Sequence, residues 1–135
     1  MSTPHPLPPP GPGAPTPPIP LGGDAADVRS RFTDVRHVEV PDAVLERLRG
    51  ACAAVDVEPA VLAEASRDWW PLAMQWAADG QVAGLAAAVA RPGSAEEVAA
   101  VLAICDEARI PVTAAAGRSG VCGASVPVHG GVVLD

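Results

Sequence analysis

Apolar residues follow a helical period in the segment SAEEVAAVLAICDEAR. Ser94 and Glu97 stand there at the S-x-x-E spacing of a capping box, which marks the start of a helix. Beyond them the apolar positions fall at i, i+3, i+4 and i+7, a stripe typical of an amphipathic helix packed on a core. These positions are Val98, Val101, Leu102 and Cys105. The pattern predicts a helix over residues 94–109.

A similar stripe predicts an earlier helix in DAVLERLRGACAAV, which follows Pro41. Proline suits a first helical turn because its missing N–H would have no partner there. A second short helix is predicted after Pro59, in PAVLAEAS. The stripe of the earlier helix comprises Val44, Leu45, Leu48, Cys52 and Val55.

Three short apolar runs in the last third of the chain predict buried strands. LAAAVARP (85–92) and IPVTAA (110–115) flank the helix over 94–109, and GGVVLD (130–135) follows a glycine-rich loop. Strand, helix and strand with short joints predict a right-handed parallel βαβ crossover. Because the chain stops at a predicted core strand, we expect a fragment in which strand 131–135 leaves an open sheet edge.

The first twenty residues differ in composition from the rest of the chain. They hold ten of the sixteen prolines, and no Asp, Glu, Lys or Arg precedes Asp24. Proline at this density favours polyproline II or disorder. We therefore interpret residues 1–23 as a disordered Pro-rich tail, either a linker or a ligand for a proline-binding module. Residues 24–81 are predicted to form a helical N-terminal region that precedes the strands of 82–135.

Charge and cysteine content exclude several classes of function. The net charge is −7 and all nine basic residues are arginine, and an acidic chain without a basic stripe is not expected to bind nucleic acid or anionic lipid. Three widely spaced cysteines form no zinc or disulfide pattern, which fits a reducing compartment. The longest apolar run, 82–90, is too short to cross a bilayer. We expect a cytoplasmic protein with no membrane insertion and no metal site.

Three tryptophans lie within eight residues in the segment SRDWWPLAMQWAADGQ. Two interpretations stay open: a helix that packs large aromatic side chains under the domain, or one wall of a ligand cleft. Asp68, beside Trp69 and Trp70, is a candidate for the substrate side of such a cleft. No catalytic residue is assigned.

The stretch AAAGRSGVCGASVP (114–127) is rich in small residues and carries glycines at a three-residue spacing. Glycine permits φ > 0 and lets a ligand approach the backbone, and successive amides in such turns form nests that attract phosphate. Arg118, Ser119 and Ser125 would add donors at the rim. The stretch lacks the lysine of a P-loop and the G-x-G-x-x-G spacing of a Rossmann loop. The spacing leaves both a phosphate-binding loop and a structural turn open. The glycines are Gly117, Gly120 and Gly123.

Five motifs follow one another over residues 88–135: VARP, SAEEV, ARIPVT, AAAGRSGVCGASVP and HGGVVLD. In this order and spacing they resemble the FAD-binding domain of FAD-linked oxidases of the vanillyl-alcohol oxidase or p-cresol methylhydroxylase (PCMH) type. The likeness is greatest to the branch with alkyldihydroxyacetonephosphate synthase, glycolate oxidase and D-lactate dehydrogenase. The resemblance implies an α+β fold, in which a βαβ unit over 82–135 is the first, truncated part of a PCMH-type domain.

The same resemblance implies which residues hold the cofactor. The FAD pyrophosphate would lie against the glycine loop, and Pro92 would line the adenine end. In many members Arg-Gly stands where this chain has Ala115-Ala116, and Gly-Thr where it has Arg118-Ser119, so the positive charge is relocated. FAD is expected to be non-covalent because residues 114–124 contain no His. The implied contacts in the loop are Ala116, Gly117, Arg118, Ser119, Gly120, Gly123 and Ala124.

The resemblance also implies an FAD-dependent oxidoreductase that acts on a small-molecule substrate. The expected substrate is a 2-hydroxy acid such as D-lactate or glycolate, or the protein is related to alkylglycerone-phosphate synthase. In full-length form we expect a homodimer, with catalytic residues beyond Asp135 and no activity in the fragment alone. The alternative is a non-catalytic small α/β binding or interaction module that uses the Pro-rich tail.

Overall fold

The computed structural model describes residues 20–135, which form four α-helices, a short 3₁₀ helix and six strands. The prediction of a disordered tail over 1–23 falls mostly outside this range. The helices are α1 (Asp42–Ala51), α2 (Pro59–Ala65), α3 (Pro71–Ala78) and α4 (Ala95–Glu107), and the 3₁₀ helix is Ala25–Asp27. The strands are β1 (Arg29–Ser30), β2 (Ala54–Asp56), β3 (Gln81–Val82), β4 (Ala88–Arg91), β5 (Val112–Ala114) and β6 (Val132–Leu134).

The main sheet has the strand order β2-β4-β6-β5. Strands β4, β6 and β5 are parallel, and β2 pairs antiparallel with β4. The predicted parallel arrangement of β4 and β5 is confirmed, and β6 lies between them. The expectation that strand 131–135 leaves an open edge is wrong, because β6 bonds to a strand on each side. The edges of the described sheet are β2 and β5.

The first long helix is shorter than its apolar stripe predicts. It ends at Ala51, and Ala54 and Val55, predicted as the end of this helix, lie in β2 instead. The backbone of this segment pairs with β4, in the register Ala54↔Arg91. Cross-strand pairing therefore outweighs local helix propensity here. The short helix predicted after Pro59 is confirmed as α2, with proline in its first turn.

Helix α4 begins as the capping-box spacing predicts. The Ser94 hydroxyl accepts a hydrogen bond from the Glu97 amide at 3.2 Å. The Glu97 carboxylate accepts from the amide of Gly93, at 2.9 Å, and also from that of Ala53, at 2.7 Å. This carboxylate therefore ties the start of α4 to the segment that leads into β2.

Both faces of the sheet are covered by helices. Alternate residues of β4 point to opposite faces, so Ala88 and Ala90 pack in the cluster that contains α1 and α4 residues, whereas Val89 packs with Ala65 of α2. The α4 stripe is rotated from the prediction: Leu102 is 45% exposed. The buried α4 residues are Val101, Ile104 and Cys105. A separate two-stranded parallel pair, β1 and β3, lies outside this sheet.

Candidate functional site

The glycine loop leaves the sheet at the carboxyl ends of its three parallel strands. Ala90, Leu134 and Ala114 lie side by side in the register of β4, β6 and β5. The Ala115 amide continues this pairing by donating to the Leu134 carbonyl at 2.9 Å. Pro92, two residues after Ala90, therefore lies at the same end of the sheet as the loop, where the parallel strands have their carboxyl ends. The carboxyl end of the strands is where open α/β sheets bind their ligands.

The backbone of the loop turns through left-handed conformations. Ala116 has φ 42°, Arg118 has φ 47° and Gly123 has φ 78°. Within residues 116–125 of the described chain, the Arg118 amide is the one that donates a hydrogen bond inside the protein, to the Ala115 carbonyl at 3.0 Å. The other amides remain available to a ligand. Left-handed residues alternating with other conformations create the concave N–H arrays that bind anions.

The three evenly spaced glycines have different surroundings. No atom lies within 4 Å of the place where a Cβ on Gly117 would stand. A Cβ on Gly120 would lie 3.6 Å from Asp68 Oδ2, an ordinary contact. A Cβ on Gly123 would lie 2.9 Å from Trp70 Cε3, too close to be accommodated. The protein itself therefore requires a glycine at 123, whereas at 117 the space above the backbone is open.

The charged side chains near the loop neutralise one another. The Arg118 guanidinium is 7% exposed, and its Nη1 lies 3.6 Å from Asp135 Oδ2. The same carboxylate accepts from Arg91 Nε at 3.0 Å, and Arg91 also pairs with Asp56. Arg118 therefore points into the protein and is not at the exposed rim where the sequence suggested it. Two cations face two carboxylates, so an anion at this loop would be held mainly by backbone amides.

The loop rests on the segment that carries the paired tryptophans. The Trp69 amide donates to the Gly120 carbonyl at 3.0 Å. Asp68 is fully buried; its Oδ1 accepts from the Trp70 amide at 3.0 Å, and its Oδ2 has no hydrogen-bond partner among the described residues. The Trp70 ring stacks edge-on against Trp76, with centroids 5.2 Å apart. The tryptophan segment thus packs under the glycine loop, a contact that the sequence pattern did not predict.

The remaining predicted site residues differ in exposure. Ser125 and Gly123 are half-buried, as is Pro92. The exposed loop positions are Ala116, Gly117, Ser119, Gly120 and Ala124. The loop therefore exposes mostly small side chains and backbone to solvent, and its one charged side chain, that of Arg118, is turned inward.

The other chemically interesting groups lie away from the loop. His129 precedes β6 at the amino ends of the strands, where its Nδ1 is 3.4 Å from the Arg36 carbonyl oxygen. A cavity of about 490 Å³ lies at this amino end of the sheet and includes His129, Arg109 and Cys105 in its lining. Burial raises the pKa of the Cys105 thiol above its ordinary value of 9.0. This cavity shares no lining residue with the glycine loop.

Neither a metal-binding cluster nor a membrane-spanning helix is found in residues 20–135, the part of the chain that the structure describes. No cluster of three or more His, Cys, Asp or Glu side chains there is arranged to hold a metal ion. No helix in that range is long and apolar enough to span a bilayer.

Known proteins resemble this chain in sequence and in fold. Residues 86–135 match the protein family described as FAD binding domain. A D-lactate dehydrogenase of Anaerostipes hadrus is 49% identical over 42 residues, which make up 31% of this chain and 9% of that protein. Two solved structures of alkyldihydroxyacetonephosphate synthase, one in P212121 and one in P1, have TM-scores of 0.69 at 15% identity over 85% of this chain. The chain spans 21% and 23% of the length of those two structures.

The two kinds of likeness cover different parts of the chain. The family match is confined to β4, α4, β5, the glycine loop and β6, whereas the structural likeness extends over most of the described residues and therefore includes helices outside the match. At 15% identity the structural likeness shows the fold alone. The resemblance seen in the five sequence motifs is confirmed: residues 86–135 match the FAD binding domain family, and the chain is folded like part of alkyldihydroxyacetonephosphate synthase.

Proposed function

We propose that the glycine loop binds the pyrophosphate of FAD, without a covalent bond, as part of a flavin-dependent oxidoreductase. The observation that carries this proposal is the open space over Gly117, in a left-handed turn whose amides have few partners within the described chain. A diphosphate carries the charge that such a turn attracts. The loop lies inside the segment that matches the FAD binding domain family.

The residues of this chain would contribute binding and orientation. The loop amides of Gly117, Ser119 and Gly120 would hold the phosphates, and Pro92 would contact the adenine end from the end of β4. The exposed Ser119 would add a hydroxyl donor. Arg118 would shape the loop through its left-handed backbone and through its pairing with Asp135, since its own amide donates to the Ala115 carbonyl. Bound FAD supplies the redox chemistry, and the protein sets its position.

The proposed substrate is a 2-hydroxy acid such as D-lactate or glycolate, or an alkylglycerone phosphate. Support comes from the sequence likeness to a D-lactate dehydrogenase and the structural likeness to alkyldihydroxyacetonephosphate synthase. A cytoplasmic location and a homodimer in a longer form belong to the same proposal. Substrate contacts and catalytic residues would lie outside the residues discussed above.

The cofactor proposal is tested by titrating the chain with FAD and following flavin fluorescence polarisation. Gly117→Ala places a Cβ where the phosphates would lie, and we expect FAD affinity to fall about tenfold or more. Gly50→Ala is the matched control, because a Cβ at Gly50, on α1, also meets no atom within 4 Å. Wild-type chain that binds no FAD, or equal binding by both variants, would overturn the proposal and favour a non-catalytic interaction module.

The substrate proposal needs a separate measurement. Any longer product of the coding frame would be purified with FAD and mixed anaerobically with D-lactate, L-lactate, glycolate or an alkylglycerone phosphate. Bleaching of the visible flavin absorbance by one 2-hydroxy acid is the expected result. A flavoprotein that none of these compounds reduces would contradict the substrate class while leaving FAD binding in place.

A further inference from the structure

We infer that Asp68 and Trp70 are positioning residues for the FAD-binding loop, although both lie outside the segment that matches the FAD binding domain family. This inference rests on the proposed function. It concerns the segment that supports the loop from beneath, which we call the loop platform and define as residues 68–70. The family match begins at residue 86.

The platform meets the loop at two of its three glycines. Near the middle of the loop, the Trp69 amide donates to the Gly120 carbonyl at 3.0 Å. Farther along, the six-membered ring of the Trp70 indole lies under the α-carbon of Gly123. Gly117, by contrast, has no protein atom near its open face. The loop is therefore held from below at 120 and 123 and is free above at 117.

Asp68 holds the platform in shape. Its Oδ1 accepts the Trp70 amide at 3.0 Å, an Asx turn that leads directly into α3, where Pro71 occupies the first turn. This hydrogen bond fixes the direction in which Trp70 leaves the backbone. The Asp68 side chain is fully buried, and its Oδ2 faces the α-carbon of Gly120. The carboxylate thus lies directly behind the loop backbone.

Trp70 cannot readily move away from the loop. Its ring packs edge-on against Trp76, and Trp76 packs in the same way against Phe32, with centroids 5.8 Å apart. Arg31 covers the Trp76 ring at 5.3 Å. Because this stack holds the indole in place, the indole determines how closely the loop backbone at Gly123 can approach the platform. The positions of the backbone amides that would bind a diphosphate are then set by the platform, a form of preorganisation.

Gly123 would therefore be required for two separable reasons. Its φ of 78° would strain any residue with a side chain, and a Cβ added at this position would collide with Trp70. Only the second reason involves the platform. A double-mutant cycle between positions 70 and 123 separates the two, because the backbone strain is the same whichever residue stands at 70.

The experiment compares FAD affinity for wild type, Gly123→Ala, Trp70→Leu and the double variant, at a temperature where each is folded by circular dichroism. We expect Gly123→Ala to weaken FAD binding about tenfold or more in the wild-type background. In the Trp70→Leu background, where the smaller side chain leaves room for a Cβ, we expect a further loss of about threefold or less. Equal losses in both backgrounds would overturn the role of Trp70. Trp70→Phe, which shortens the ring system, replaces Trp70→Leu if the latter fails to fold.

The role of Asp68 is tested by a conservative and a disruptive variant. Asp68→Asn keeps an oxygen that can accept the Trp70 amide, so we expect FAD affinity within about threefold of wild type. Asp68→Ala removes the acceptor, and we expect a loss of about tenfold. Asp79→Ala, at the exposed far end of α3, is the matched control and is expected to leave FAD affinity unchanged.

These outcomes separate the two proposals. If wild-type chain binds no FAD, the proposed function fails. If wild-type chain binds FAD, and the Asp68→Ala and Asp68→Asn variants bind it with the same affinity as each other, the positioning role of Asp68 fails while the proposed function stands.

Discussion

Arg118 places its guanidinium Nη1 3.6 Å from the carboxylate Oδ2 of Asp135, and both side chains are largely buried. The Nε of Arg118 has no hydrogen-bond partner among the described residues. The backbone at Arg118 is also left-handed, with φ 47°. An arginine in this conformation is held by its surroundings, because an isolated residue of this type avoids the left-handed region.

Substitutions at Arg118 are expected to expose this backbone strain. Both Arg118→Gly and Arg118→Ala remove the guanidinium, but glycine adopts a φ of 47° without a Cβ penalty. We therefore expect the glycine variant to be the more stable of the two by about 1 kcal/mol in urea unfolding.

The matched control uses Arg49, which lies in the last turn of α1. In a helix the order should reverse, because glycine is less favourable than alanine by about 1 kcal/mol. If alanine were the more stable residue at both positions, the left-handed conformation at Arg118 would not be a source of strain.

The neutralising carboxylate of Asp135 is expected to limit anion affinity at the loop. Asp135→Asn keeps an acceptor for Arg91 but removes one negative charge next to two arginines. We expect pyrophosphate and FAD to bind about threefold more tightly to this variant, with the gain declining as salt is added. Isothermal titration at two ionic strengths measures both effects.

Asp56→Asn supplies the comparison, since Asp56 pairs with Arg91 and not with Arg118. We expect its gain in affinity to be the smaller one. A gain that is equal for the two variants, or insensitive to salt, would argue that the local charge balance does not govern binding.

Much of the fold could be predicted from the sequence because local signals and tertiary packing agree there. The Ser94–Glu97 capping spacing marks the start of α4, and the structure forms the cap. Predictions failed where a distant partner decides the outcome. The stripe ending at Val55 is helical by spacing, yet β4 offers its backbone a ladder of hydrogen bonds. Leu102 fits the helical stripe as well as Ile104 does, yet Leu102 is exposed and Ile104 is buried in the cluster that contains α1 residues.

The candidate site, too, could be predicted from the sequence only in part. The glycine loop was visible in the sequence because left-handed turns and close approach demand an uncommon composition. Its platform was not visible, since Trp70 and Gly123 lie 53 positions apart and no local pattern links them. The burial of Arg118 was also hidden, because the sequence does not show that Asp135, directly after β6, lies beside it.

The three cysteines are expected to differ in reactivity. Cys122, in the glycine loop, is exposed, whereas Cys52 and Cys105 are buried, and burial raises the pKa of the Cys105 thiol. Since the thiolate is the reactive form, one thiol should react quickly with a maleimide in the folded chain. The other two should react at the rate of unfolding, as counted by mass spectrometry.

Two controls extend the cysteine prediction. Cys122→Ser should abolish the fast reaction, and saturating FAD should slow it in wild type if the cofactor covers the loop. Modification of two or three thiols at the same rate in the folded chain would contradict the burial of Cys52 and Cys105.

The acid stability of α4 is expected to depend on Glu96. Hydrogen bonds from its own backbone amide, and then from the Ser94 side chain, lower the pKa of the Glu96 carboxyl from its ordinary value of 4.5. A lowered folded-state pKa means that the ionised carboxylate stabilises the fold above the unfolded-state pKa, and that this contribution is lost as the pH falls through the folded-state pKa. Glu96→Gln should therefore be less stable than wild type at near-neutral pH, and the difference should shrink below about pH 4.5.

Urea midpoints measured across this pH range test the sign of the Glu96 contribution. Ser94→Ala removes the second cause of the lowered pKa. In that background, Glu96→Gln should therefore cost less stability at near-neutral pH than it costs in the wild-type chain. A cost of Glu96→Gln that grows as the pH falls would contradict the assignment, because the carboxyl would then stabilise the fold in its protonated form.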